Sequence, residues 1–175
     1  MSHFTRTLFR TIAVSFGLSS IAVAAEPVKM QLTEVPLRLA LPTMRLPNAA
    51  GQVVDIAQHR GKVILLDFWA TWCGGCKEEL PWFADFQTSF KNMGLSVIAV
   101  SMDDSGWATV TPFVSAHRMP KTVLMDDGSS TKQFAIQAVP VALLIDRRGR
   151  VAAKYVGLVD RNNIEQNIRS LLREP

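Results

Sequence analysis

Asp67-Phe68-Trp69-Ala70-Thr71-Trp72-Cys73-Gly74-Gly75-Cys76 decides how this chain folds, because one kind of local order stops inside it and another starts. Before it, Val63 to Leu66 is apolar at every position, the pattern of a strand buried on both faces. After it, Cys76, Leu80, Phe83, Phe86 and Phe90 recur at steps of 4, 3, 3 and 4, the period of a helix. A buried strand therefore passes into a helix with two cysteines at the junction. Unpaired N–H groups and the positive dipole end at a helix N-terminus stabilise thiolate over thiol, which makes Cys73 the expected nucleophile. Cys76, three residues on, is placed to attack a mixed disulfide formed at Cys73, close the intramolecular bridge and release a reduced partner.

Moving outward, the apolar runs Leu95 to Val100, Val123 to Met125 and Val141 to Ile145 add further buried strands. Asp146-Arg147-Arg148-Gly149 reads as a tight turn into another strand, Val151 to Val156. On the N-terminal side, Met44-Arg45-Leu46 and Val53-Val54-Asp55 flank the turn formers Asn48 and Gly51, predicting a hairpin. Pro81 falls inside the cysteine-bearing helix. A second helix is predicted near residues 107–117, with Pro112 obscuring its first turn. A last one is predicted behind the N-cap Asp160, with Ile164, Ile168, Leu171 and Leu172 on one face. The sheet is expected to carry helices on both sides.

The 175 residues, 48% apolar and 19% charged, suit one folded domain. The net charge of +4 is spread without a basic block, so no nucleic-acid footprint is present. Arg6 and Arg10 precede an apolar run from Ile12 to Ala25, and no acid occurs before Glu26. That is the profile of an export signal. Ala22-Val23-Ala24 suits a signal peptidase, with Val23-Ala24-Ala25 nearly as good, so residues 1–25 are the expected signal. The run is short and serine-bearing for a membrane span, which disfavours anchoring. Residues 26–42, with Pro27, Pro36 and Pro42, read as an extended lead-in, and residues 43–175 as the domain. The expected location is the periplasm.

In an oxidising compartment cysteines usually staple distant segments, yet Cys73 and Cys76 close almost no loop. Chemistry explains the pair better. Zinc would need two more ligands, and His59 and His117 lack ligand spacing to it. Covalent haem needs a histidine where Lys77 stands. A thiol peroxidase of related fold needs P-x-x-x-T/S-x-x-C, but Leu66 and Ala70 hold those positions. Asp103-Asp104 and Asp126-Asp127 lack the spacing of a calcium loop and read as solvated turns, and Trp69 and Trp82 as packing residues.

The segment Asp67 to Pro81, with Trp72-Cys73-x-x-Cys76-Lys77, resembles the thioredoxin superfamily. The preceding hairpin, the signal, Val139-Pro140 and the Ile145-Asp146-x-x-Gly149 turn resemble its TlpA/ResA-type exported branch. The resemblance implies an α/β thioredoxin fold, a central mixed β-sheet flanked by helices with an N-terminal β-hairpin, and dithiol-disulfide exchange without a cofactor or metal. It makes Cys73 and Cys76 the catalytic pair and Pro140 a cis-proline facing the disulfide. It also makes Asp67 and Glu79 the acids able to take the Cys76 proton. Trp72 and the backbone of Val139 would border a client segment. Implied partners are protein disulfide or dithiol clients and a membrane thiol reductase as electron donor, with the protein itself a monomer. Apocytochromes or copper-site proteins would be reduced. A dithiol oxidase and a copper-binding thiol module are the alternatives. Gly74-Gly75 departs from relatives that place proline before the second cysteine, and Ala138 and Val141 replace the common Gly and Thr. Thiol acidity therefore does not carry over from them.

Overall fold

Seven consecutive buried residues make Val63–Trp69 (β3) the middle of a mixed sheet in the computed structural model, which describes residues 26–175. The expected signal, residues 1–25, lies outside the described residues. β3 pairs in parallel with Leu95–Ser101 (β4), which pairs in parallel with Thr122–Met125 (β5). On its other side β3 is antiparallel to Val141–Ile145 (β6), which is antiparallel to Val151–Val156 (β7), giving the order β5-β4-β3-β6-β7. Arg45–Pro47 (β1) and Val53–Asp55 (β2) form the separate hairpin predicted from sequence. The helices are Gly74–Phe90 (α1), Trp107–Ala116 (α2), Ser129–Phe134 (α3) and Arg161–Arg173 (α4).

Side chains alternate along a strand, so β3 feeds two cores at once. Val63 and Leu65 meet Phe83, Phe86 and Phe90 of α1 and Ile164 and Ile168 of α4. Ile64, Leu66 and Phe68 meet Met44 and Leu46 at the hairpin, Ile56, and Ile136 beyond α3. Asp67 and Trp69 share the α1 side by the same alternation. There Trp69 packs with Leu80, with Val110 of α2 and with both cysteines.

α2 falls where the second helix is predicted, whereas α3 is an element the sequence reading does not include. The ambiguity at Pro112 is resolved with the proline inside α2, because the helix begins after Gly106, whose φ of +65° few other residues adopt. The six-residue α3 has no apolar stripe. It is started instead by side chains, Asp126 accepting from the Ser130 and Gly128 N–H groups and Asp127 from the Ser129 N–H.

The lead-in is tied down along β7. Val28 bridges to Val159 and Ala40 to Arg150, while Thr33 N–H donates to Ala152 and Val151 N–H to Leu39. Arg38 secures it further. Its side chain, 2% exposed, pairs with Asp146 in the β6–β7 turn at 3.2 Å and with Glu174 past α4 at 2.6 Å.

Candidate active site

β3 ends at Trp69, and the Cys73 N–H donates to the Ala70 carbonyl at 3.1 Å, closing a turn around Thr71 and Trp72. Cys73 is then the N-cap of α1. Its Sγ accepts the Cys76 N–H at 3.1 Å, the place that serine or aspartate oxygen takes at other helices. Cys73 and Cys76 form a disulfide with Cα atoms 5.3 Å apart. The two sulfurs are not equivalent, since Cys73 is 5% exposed and Cys76 is sealed. An incoming reactant reaches only Cys73, which supports Cys73 as nucleophile and Cys76 as resolver.

The loop carrying Trp72 and Cys73 is held by a residue that sequence reasoning passes over. As part of a solvated turn, Asp103 would face water. Instead it is buried, and its carboxylate accepts the Thr71 N–H at 3.0 Å, the Thr71 hydroxyl at 2.7 Å and the Ser101 hydroxyl at 2.8 Å. Its position two residues past β4, opposite the end of β3, is the available signal. Asp103→Ala strands Thr71 and Ser101 without their shared acceptor, with an expected cost of about 2 kcal/mol in folding stability. Urea midpoints check this, and Asp103→Asn, which keeps one acceptor oxygen, should lose less.

Behind the disulfide lie two carboxyl groups, both fully buried. Glu79 follows Cys76 by three residues on the sheet-facing side of α1, a spacing that makes helical neighbours. Its Oε2 accepts the Val159 N–H at 3.2 Å and its Oε1 has no partner. Burial pushes its pKa up from 4.5 to about 8, partly opposed by the Val159 N–H and reinforced by Glu78. Asp67 on β3 has neither oxygen hydrogen-bonded, and burial followed by repulsion from Glu79 holds it well above the usual carboxylate range. No ion pair among the described residues reaches either acid. With nothing to balance a charge, the pair favours holding protons over ionising.

The Val139–Pro140 peptide is cis. Pro140 adjoins the cysteine loop: a Cβ placed on Gly75 would stand 3.7 Å from the proline ring and 3.8 Å from Leu158 Cβ. Trp72, 68% exposed, stands at one wall of a groove of about 240 Å³ shared with Met102, Ile136, Ala138 and Val139. The fold thus sets Trp72, Val139 and Pro140 beside the Cys73–Cys76 disulfide, and places Glu79 one helical turn past Cys76 with Asp67 near enough to repel it. It leaves Trp69 and Trp82 packing against the sheet's cores.

Residues 38–154 match the AhpC/TSA family. The chain is 27% identical over 174 residues to a thiol-disulfide oxidoreductase ResA of Bacillus cereus, covering 95% of this chain and 96% of that protein. Against ResA of Bacillus subtilis it is 28% identical over 124 residues, 70% of this chain and 69% of the other. A crystal structure from Chlorobium tepidum assigned as thiol:disulfide interchange protein DsbE superposes with a TM-score of 0.70 at 31% identity, covering 84% of this chain and 99% of that one. These relatives share the chemistry that the sealed and accessible sulfurs at the head of α1 are built for. The chain belongs to the AhpC/TSA family and is a thioredoxin-like thiol-disulfide oxidoreductase of the ResA, DsbE and TlpA kind.

Proposed function

We propose that the protein works in the periplasm as a reductase of protein disulfides, drawing electrons from a membrane thiol reductase and passing them to clients such as apocytochromes or copper-site proteins. The observation that carries this direction is the buried Asp67 and Glu79 pair with no cationic partner. A low-dielectric, anion-averse setting beside Cys76 disfavours thiolate, and dithiols that hold their protons are the stronger reductants.

In the reduced protein the Cys73 thiolate attacks a client disulfide. One client sulfur joins Cys73 and the other leaves as thiolate to take a proton from water. Cys76 then gives its proton to the Glu79 or Asp67 carboxylate and attacks Cys73 Sγ, forming the Cys73–Cys76 bond and releasing the second client sulfur as a thiolate, which takes its proton from water. Two electrons have moved to the client. In the disulfide state Glu79, at about 8, holds that proton at neutral pH, ready for the Cys76 sulfur when the bond is next reduced. An extended client segment lies along Val139 and Pro140 with Trp72 beside it. Main-chain pairing there tolerates many client sequences.

The redox potential tests the direction. Equilibration with glutathione or a dithiol buffer is expected to give a value near thioredoxin's, about −270 mV. A value near −120 mV, the range of a dedicated oxidant, would overturn it.

A further inference from the structure

One peptide group behind the disulfide is gripped at both ends. The N–H between Leu158 and Val159 donates to Glu79 Oε2 at 3.2 Å. The carbonyl of that same peptide accepts the Val28 N–H at 2.7 Å, and the Asp160 N–H returns to the Val28 carbonyl at 2.9 Å. Because a peptide is planar, fixing its C=O fixes where its N–H points. Donation into the C=O also polarises the N–H at the other end.

The surroundings make this short segment a node. The Gly157 N–H donates to the Pro140 carbonyl at 2.9 Å. Gly157 has φ +99°, and a Cβ there would stand 3.5 Å from a Val28 methyl. Leu158, together with Pro140, lies against Gly75 between the cysteines. The chain is anchored again two residues past Val28, where the Met30 N–H donates to Asn163 Oδ1 and the Met30 carbonyl accepts from Asn167, each at 2.8 Å.

We infer that the lead-in around Val28 is a positioning element of the active site, orienting the Leu158–Val159 peptide toward Glu79 and so setting how readily Glu79 exchanges a proton with Cys76. This rests on the proton-accepting role proposed for Glu79. The charged groups acting on Glu79 are Asp67 from β3 and Glu78 on its own helix. From the Val159 side, Asp160 is occupied with Lys29 and with capping α4, so what that side gives Glu79 is its N–H. An N–H aimed at a carboxylate favours the ionised form, and its misalignment makes ionisation harder.

The test is Val28→Pro, which deletes the donor to Leu158 and leaves the carbonyl that accepts from Asp160. In the whole protein, the rate at which Cys76 resolves a Cys73 mixed disulfide is followed against pH, with Glu79 and with Glu79→Gln. Val28→Pro is expected to move the profile upward by about one pH unit when Glu79 is present, and not at all in Glu79→Gln. A folded Val28→Pro protein with an unmoved profile, or an equal shift in Glu79→Gln, overturns the inference. Should Val28→Pro not fold, Asn163→Ala frees the Met30 N–H instead and is expected to give a smaller shift of the same sign; no shift there overturns it equally. If Glu79→Gln alone leaves the profile unchanged, the role of Glu79 fails first, a result distinct from a null at Val28 alone.

Discussion

Cys73→Ser is expected to reduce turnover of a protein disulfide by more than about a thousandfold, because a neutral hydroxyl replaces the one sulfur that reactants can reach. Cys76→Ser should behave differently. Attack by Cys73 still occurs, but nothing behind it completes the exchange, so a covalent client adduct accumulates and is released by added dithiol. The sealed position of Cys76 sharpens the contrast, since an adduct through Cys76 would require the helix end to open. Mass spectrometry of the trapped species gives the linkage. Full turnover by Cys73→Ser, or adducts through Cys76 in that variant, would falsify the assignment.

The disulfide form is expected to lose stability as pH rises from about 4.5 through about 8. Glu79 ionises near its ordinary value of 4.5 when unfolded and at about 8 when folded, with burial as the main cause. Between these values the folded protein keeps a proton that the unfolded chain has released. Each pH unit in that window removes about 1.4 kcal/mol, and the whole window up to about 5 kcal/mol. The contribution is complete below the unfolded value and is lost as pH passes the folded one. Asp67 is raised for the same reason and acts with the same sign. Glu79→Gln stays neutral and can still accept the Val159 N–H, so it should flatten the slope and be more stable than the parent at pH 8. Denaturant midpoints at pH 5, 6, 7 and 8 measure this. A parent protein equally stable at pH 5 and pH 8 contradicts the buried-acid picture.

The parts of this fold that were legible in the sequence are those where one segment declares itself. β3, β4 and β6 show as mostly apolar runs, and α1 shows as a stripe from Cys76 to Phe90. Even the N-cap position of Cys73 follows from where that stripe begins. What the sequence hid depends on partners far along the chain. Asp103 looks like any acid after a strand until Thr71, across the sheet's end, delivers two donors to it. Arg38 is one arginine in a proline-spaced stretch until Asp146 and Glu174 converge on it. α3 is a polar hexamer whose Phe134 finds its place only against Phe68, with ring centres 5.6 Å apart. Glu79 stands outside the stripe read from the sequence, and its N–H partner at Val159 comes from the opposite end of the domain. The roles of Pro140, Val139 and the two acids came from resemblance rather than from any local pattern.

The strapping of residues 28–40 along β7 also bears on self-association. A sheet margin with unsatisfied main-chain groups is a template on which other strands grow, and half-folded proteins offer such strands freely. Here the chain finishes that margin with its own residues at Leu158, Ala152, Val151 and Gly149. Val156, exposed near the end of β7, would otherwise add an apolar invitation beside them. The strap therefore works as a selvedge, and trimming the chain past Leu39 would turn a closed weave into one that unravels onto its neighbours.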